Sequence, residues 1–508
     1  MQKKTWALAG LLLAKIVLQF LLVRPVYELH RDEYLHLDQG RHLSWGYISV
    51  PPVTSWFSAL IRFFGNSEFL VRLVPALFGA FTLYLVWKMV EEIKGGLFAC
   101  LLASLTLLFS IHLRINMLYQ PNSFDVFFWT QTYFVLFKYI KTQKPAWLYA
   151  LGVTVAFGFL SKYNILFLTA GLFPALLLTE HRRIFATKHL YFAVFIALLI
   201  VSPNLYWQYE NHFPTVAQLH ELAQSQLVNV NRMDFLKDQV LFFLSGIFVV
   251  AAAFIGLIFY PPFRPYRFVV ISFLVAMGLF LYFKAKNYYT VGLYPVLLPF
   301  GAVYLERLFS IGWRRTLRPI SIGLLLILSI PFLWLSFPIN NPAHYANHPQ
   351  PYKKVGALRW EDGKDHQLPQ DYADMLGWKE LAQKTDSVYR QLADKEHTLV
   401  LCDNYGQAGA INYYSAFPDI RAVSFNADYI NWMPLDKRIM NVILVKSSDD
   451  SDPERNKEKP LFRQVTHQGE IENLYARERG TRIDLLEGAL TDIRPLLQQE
   501  INSRKTAP

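Results

Sequence analysis

Trp6-Ala-Leu-Ala-Gly-Leu-Leu-Leu-Ala-Lys-Ile-Val-Leu-Gln-Phe-Leu-Leu-Val23, followed closely by His30-Arg31-Asp32-Glu33-Tyr34, then Gly40, Trp45-Gly46-Tyr47 and Pro51-Pro52, is the stretch that decides the fold. Its first part is almost wholly apolar and long enough to cross a bilayer as a helix. Its second part plants a carboxylate pair beside the membrane surface. Carboxylates there are costly to keep partly desolvated, so they point to function.

The remainder of the chain repeats the first theme. Of its 508 residues, 53% are hydrophobic and 16% aromatic, and the apolar residues come in runs. Windows of about 20 residues give spans near 5–23, 68–88, 95–111, 123–140, 146–160, 163–179, 189–206, 238–259, 267–283, 288–306 and 319–337. The pieces 146–160 and 163–179 are short and read equally as one long helix broken at Ser161-Lys162. Lys3-Lys4, Lys88 with Lys94, Lys138-Lys141-Lys144, Arg182-Arg183-Lys188, Arg264-Arg267 and Arg307-Arg314-Arg315-Arg318 fall in alternate short loops. The positive-inside rule makes those loops and the N-terminus cytoplasmic. An odd count of about eleven spans then leaves the C-terminus outside. The formal net charge of +11 is spread over these loops, and no compact basic domain calls for nucleic acid. Arg24-Pro25-Val26-Tyr27 lacks the small residues of a signal-peptidase site, so the first span reads as a retained anchor. Of the two cysteines, Cys100 lies in a span and Cys402 in a predicted strand, and no disulfide framework is implied.

Composition changes after Phe337. Residues 1–337 read as a transmembrane domain with long outer loops at 24–67 and 206–237, and residues 338–508 as a soluble domain. A turn-rich linker covers 338–352. Beyond it, Trp378 to Leu392 has helical spacing, and Thr398–Cys402, Arg421–Phe425 and Asn441–Val445 read as strands of a small α/β domain. The Gly-Gln-Ala-Gly stretch after the first strand lacks the glycine fingerprint of a nucleotide loop. The last dozen residues read as frayed.

The outer face collects the residues with chemical potential. If 31–42 is helical, Asp32 and His36 share a face, and Asp32 is placed to act as a general base. The alternative is an acidic pair that favours a helix N-terminus. His30, Asp32, Glu33, His36, Asp38 and His42 crowd one loop without a His/Cys ligand signature; a hard divalent cation on carboxylates is the metal reading left open. Asp125 opens a span and is either a first-turn acid or functional. Lys162, Lys284 and Lys286 interrupt apolar sequence on the same predicted face. They either snorkel or form an anion site for a lipid phosphate, with Tyr288 and Tyr289 adding hydroxyls or belonging to an aromatic belt. Arg72, early in the second span, is a further buried cation in need of a partner.

The ordered set Asp-Glu-Tyr, Gly, Leu-Ser-Trp-Gly-Tyr and Pro-Pro, then Gly65-Asn-Ser-Glu-Phe-Leu-Val-Arg72, resembles the first outer loop of the family 39 membrane glycosyltransferases, which include protein O-mannosyltransferases. Their wider clan includes the lipid A aminoarabinose transferase. Leu160-Ser-Lys-Tyr163, Lys286-Asn-Tyr-Tyr with Tyr294-Pro295, Gly377-Trp-Lys-Glu-Leu-Ala and Asn404-Tyr-Gly-Gln-Ala-Gly-Ala-Ile-Asn-Tyr-Tyr414 resemble further family segments. The resemblance implies a GT-C fold and inverting transfer of a sugar from a polyprenyl-phosphate donor to a protein, lipid or glycan acceptor. It also implies a bacterial inner (cell) membrane location with the C-terminal domain periplasmic or extracellular. By it Asp32 is the catalytic carboxylate, accompanied by Glu33 and Asp125. Two departures stand out. Phe124-Asp125 replaces the family's Pro-Asp, and Ser424-Phe-Asn-Ala-Asp-Tyr429 stands where relatives carry a His-Asn-Ser-Tyr-Trp-like run.

In the mechanism these residues suggest, Asp32 activates the acceptor and the lysines stabilise the leaving lipid phosphate. A donor delivered within the bilayer explains the lack of a glycine-rich phosphate loop. The competing class is a polytopic transporter or flippase, which would show repeats and midplane charges. A non-catalytic receptor would not need the ordered acids and lysines.

Overall fold

The computed structural model describes residues 2–225 and 227–506, and the chain divides into two compact units. The first comprises Met1–Leu22, Ser44–Phe57 and Phe64–Phe337; the second comprises Val23–Leu43, Ser58–Phe63 and Pro338–Pro508. Phe337 is therefore one edge between units, but the first outer loop, which hydropathy assigns to the membrane domain, is divided. The segment with the acidic pair folds with the polar tail.

The first unit is helical. It holds α1 (Gln2–Leu21), α4 (Glu68–Glu92), α5 (Leu97–Leu108), α6 (Ile111–Ile115), α7 (Pro121–Thr142), α8 (Pro145–Ser161), α9 (Ile165–Leu177), α10 (Lys188–Glu210), α11 (Pro214–Ser225), α12 (Arg232–Leu241), α13 (Ile247–Phe259), α14 (Phe268–Tyr282), α15 (Leu297–Leu308) and α16 (Leu317–Ser336). Neighbours in sequence pack together, α4 on α1 and α7, and α8 on α7 and α10, while α15 packs on α5 and α13, and α9 on α14. Each apolar run contains a helix, yet fewer than eleven are long, apolar and straight. Among the described residues, four are long and apolar enough to cross a membrane, or seven if each bent pair counts as one span. Three further apolar helices have 10–17 residues. At about 1.5 Å per residue, such helices fall short of a ~30 Å hydrocarbon core, so helix ends and turns share the depth. The molecule is an integral membrane protein.

Lys162 is extended (φ −161°, ψ 131°) and separates α8 from α9, which resolves the short pair into two helices. The basic loops gather at one end of this unit. Lys4 Nζ donates to the Gly95 carbonyl (3.1 Å), Lys138 and Lys141 each lie 2.7 Å from the Glu92 carboxylate, and Glu306 Oε2 accepts from Gly96 N–H (2.6 Å). Arg318 Nη2 donates to the Glu306 carbonyl (3.0 Å). The alternation read from the sequence thus corresponds to one physical face.

In the second unit, α2 (Arg31–Gln39) and the end of α3 (Val53–Phe63) join the tail. The tail carries α17 (Pro342–Asn347), α18 (Gln350–Lys354), α19 (Gln370–Ala373), α20 (Trp378–Gln391), α21 (Tyr405–Tyr414) and α22 (Arg494–Thr506). Its strands are β1 (Thr398–Cys402), β2 (Ala422–Ser424), β3 (Asn441–Lys446), β4 (Phe462–Glu470) and β5 (Arg482–Ala489), ordered β2-β1-β3-β5-β4. β1 runs parallel to β2 and β3, whereas β5 runs antiparallel to β3 and β4. The first three strands fall where the sequence places them. β4 and β5 carry no clear apolar period, because β4 is a polar edge strand and β5 mixes Arg482, Asp484 and Glu487 among its apolar residues. One sheet face is closed by Leu399, Val423, Val442, Leu444, Phe462 and Leu486. The residues expected to fray form α22 instead, apart from the last two, which lie outside the described residues.

Candidate active site

The acidic pair sits at the start of α2. His30 is the N-cap: its Nδ1 accepts from Asp32 N–H (3.2 Å), and Glu33 Oε2 reaches back to accept from His30 N–H (2.6 Å). This is a capping box with histidine in the usual Ser/Thr role. Glu33 is 1% exposed, so the two carboxylates have different surroundings. Asp32 keeps 36% of its side chain exposed.

Asp32 is framed by the tail. Tyr405 Oη donates to Asp32 Oδ1 at 2.6 Å, and the Arg31 guanidinium lies 4.6 Å over the Tyr405 ring. Tyr405 is the first residue of α21, positioned by Asn404, whose side chain accepts from Gln407 N–H (3.1 Å). Burial by itself would raise the Asp32 carboxyl, but the charges of His30 and Arg31, the Tyr405 hydroxyl and His36 hold it below its ordinary value of 3.8. Tyr405 is pushed well up, by burial first and then by the Asp32 charge, so it remains a donor. The contact between Asp32 and Tyr405 joins this segment of the first loop to the tail.

Close packing keeps α2 against α21. A Cβ on Gly409 would come 2.6 Å from Tyr34 Cβ and 2.7 Å from Tyr429 Oη, so the small residues after β1 permit close helix contact. Asp38 Oδ2 accepts from Asn412 Nδ2 and Tyr429 Oη, both at 2.7 Å. Upstream, Glu28 Oε2 accepts from Trp378 N–H (2.7 Å) and caps α20. Arg477 pairs with Asp374 (3.1 Å), which lies 3.6 Å from His30 Nε2. Among the described residues no group of three or more His, Cys, Asp or Glu is arranged to hold a metal ion, since the crowded acids and histidines of the loop point to separate partners.

A second polar cluster lies in the first unit. Lys162 Nζ donates to Asn122 Oδ1 (2.7 Å) and sits 4.1 Å over the Tyr289 ring and 5.5 Å from that of Tyr288. Asn164 Nδ2 donates to Asp125 Oδ2 (3.1 Å) and to the Tyr289 carbonyl (2.9 Å). Asp125 is 3% exposed, and the Trp129 indole N–H, one turn along α7, is a further neighbour of its carboxylate. Asp125, Lys162, Tyr288 and Tyr289 are thus brought together. Lys286 precedes the Tyr288–Tyr289 turn, Lys284 (φ 51°) lines a separate shallow pocket with Leu227, Val228 and Phe283, and Arg72 is half-buried on α4.

Several contributors escape sequence reading. Asn122 and Asn164 have no local signature, and Tyr405 lies within the 404–414 family-like segment without standing out in it. Lys15 does: it is a lysine inside an apolar span, 2% exposed, bonded to Gln19, which in turn donates to the Leu113 carbonyl (3.1 Å). Gly79 makes room for it, since a Cβ there would come 2.6 Å from Lys15 Cε and 2.3 Å from Asn116 Oδ1.

The backbone as a whole superimposes on ArnT from Cupriavidus metallidurans, crystallised bound to undecaprenyl phosphate. The TM-score is 0.62 at 14% identity, over 95% of this chain and 98% of that one. The apo state of ArnT matches equally, with a TM-score of 0.62 at 15% identity over 96% and 98% of the two chains. The chain has the ArnT fold. Residues 49–207 match the family model of dolichyl-phosphate-mannose-protein mannosyltransferases. The lipid A galacturonosyltransferase RgtD of Rhizobium johnstonii is 25% identical over 229 residues, 42% of this chain and 47% of the relative. The chain thus spans about half the length of that curated relative.

Proposed function

We propose that this protein transfers a sugar, with inversion, from a polyprenyl-phosphate donor to an acceptor at the outer face of the membrane. The observation that carries the reading is Asp32: a carboxylate held ionised by Arg31, His30 and Tyr405, yet open enough to meet a substrate. The ArnT fold and the local likeness to mannosyl- and galacturonosyltransferases support it. They favour transfer over transport.

In the proposed reaction Asp32 accepts a hydrogen bond from the acceptor's hydroxyl or amine. As the new bond to the anomeric carbon forms, the acceptor becomes more acidic and its proton passes to Asp32, so a carboxylate with a low pKa suffices. The bond from the anomeric carbon to the donor phosphate breaks on the opposite face, and the lipid phosphate departs as the anion. Lys162 stabilises that charge, with Lys286, Tyr288 and Tyr289 as further donor contacts. Glu33 sets the start of α2, and Asp125 positions Asn164 and Lys162. The orientation puts Met1 in the cytoplasm and the tail in the periplasm or extracellular space, in a bacterial inner membrane, on the alternation of basic loops.

The test is an assay in nanodiscs with a radiolabelled polyprenyl-phosphate sugar and candidate protein, lipid and glycan acceptors. Acceptor-dependent release of free polyprenyl phosphate is expected. Movement of intact donor between leaflets without cleavage would favour the flippase instead.

A further inference from the structure

We infer that Arg41, Arg62 and Arg421, flanked by Leu43, Leu60 and Phe63, form a binding surface for the phosphate of an anionic membrane phospholipid. All six residues belong to the second unit, whose chain ends at Leu43 and Phe63 where it passes into the first.

Close packing gathers the arginines. A Cβ on Gly40 would lie 2.5 Å from Ser58 Cβ and 2.8 Å from Ala59 N, so the end of α2 and the last turns of α3 cross in contact. Ser58 Oγ also donates to the His36 carbonyl (2.6 Å). Arg41 follows Gly40, and Arg62 stands one turn beyond Ser58 on the same helix face. Arg421 is brought in by Asn412, whose side chain bonds both polar groups of Ala422 (2.8 and 2.9 Å) and whose carbonyl accepts from Arg41 Nη2 (3.0 Å).

Among the described residues one acid, Asp38, is ion-paired with this cluster, and it compensates the three guanidinium groups only in part. Asp38 lies 3.4 Å from Arg41 Nε, but it is buried and shared with Asn412 and Tyr429. Asp428 is buried and accepts from Gln39 Nε2 (2.8 Å). Asp419, two residues before Arg421, is exposed. Arg62 is exposed and makes no ion pair or hydrogen bond among the described residues. Burial, then the like charges of Arg41 and Arg421, push its guanidinium below its ordinary value.

The surroundings select a lipid over a soluble anion. Leu43 is 59% exposed, Leu60 52% and Phe63 81%, an apolar rim that a free phosphate would leave in water. His42 stacks on Trp432 at 4.2 Å, the type of aromatic edge that settles at a bilayer interface. Forked guanidinium groups match phosphate oxygens, and basic residues beside apolar side chains are the usual reader of anionic headgroups. This surface is independent of the transferase reading.

The experiment uses the full chain in nanodiscs with photoactivatable phosphatidylglycerol or phosphatidylcholine, and labelled peptides mapped by mass spectrometry. Phosphatidylglycerol is expected to label residues 41–43 and 58–63 at least tenfold more than phosphatidylcholine, and Arg62→Gln with Arg421→Gln to abolish the difference. Leu60→Ser with Phe63→Ser is expected to lower labelling by both lipids, and an unchanged melting temperature keeps the variants comparable. Equal labelling by the two lipids, or full labelling of the arginine variant, would overturn the inference. So would complete competition by inorganic phosphate, which would reassign the surface to a free anion.

Discussion

Two carboxylates illustrate two ways of burying charge. Asp32 lies at a helix start in the second unit, partly open, with an aromatic hydroxyl and two cationic neighbours holding it ionised. Asp125 lies inside α7 in the first unit, closed off, with Asn164 on one oxygen and the Trp129 indole and the Lys162 ammonium as further neighbours. An acid that must meet a substrate needs charge compensation that leaves a face free. An acid that orders its neighbours can be enclosed among donors that do not move. Sequence alone offered both as site residues; the proposed reactive and positioning roles follow the difference in their surroundings.

The sharpest way to break this contrast is Asp32→Asn, which keeps shape and removes charge. Turnover per folded molecule is expected to fall by about 10² or more, with donor binding little changed. Normal turnover would remove Asp32 from the chemistry. Lys162→Met comes next. It should weaken binding of a polyprenyl-phosphate analogue by roughly tenfold, because one charge-assisted contact is lost, and unchanged affinity measured by titration would detach the Lys162 cluster from the donor.

Asn164→Leu probes the enclosed acid. It strips Asp125 of a hydrogen-bond donor and should cost about 1–3 kcal/mol of stability in a detergent melt. A loss of turnover with unchanged stability would instead give Asp125 a reactive role.

The smallest expected effect is a shift in pH dependence. The folded Asp32 pKa lies below 3.8, so its ionised form persists past that value, while the stability it contributes is full above the ordinary value and is lost progressively as pH falls from there through the folded pKa. Tyr405→Phe removes a hydrogen bond to the ionised form and should move the acid limb of turnover upward by a fraction of a pH unit. A limb that stayed in place would deny Tyr405 its hold on the carboxylate.

The arginine surface shows how such groups stay hidden. Arg41, Arg62 and Arg421 are scattered in the sequence, and none belongs to a basic run. Gly40 and Ser58 let two helices cross, and only then does the charge become a patch. Lys15 is the opposite case, a lone charge in an apolar run whose local signal was available.

What the sequence by itself determined is local. Apolar runs set helices, basic loops marked one end of the helical unit, and short Val/Leu/Ile runs marked β1, β2 and β3, because periodicity and transfer energy act over a few neighbouring residues. The acidic pair and its helix were legible for the same reason. Tertiary structure alone decided that this pair folds with the tail, that Tyr405, 373 positions away, donates to Asp32, and that Asn164 encloses Asp125. A hydrogen bond depends on two groups meeting within about 3 Å in the right orientation, and the path that brings them together is set by the packing of every element between them.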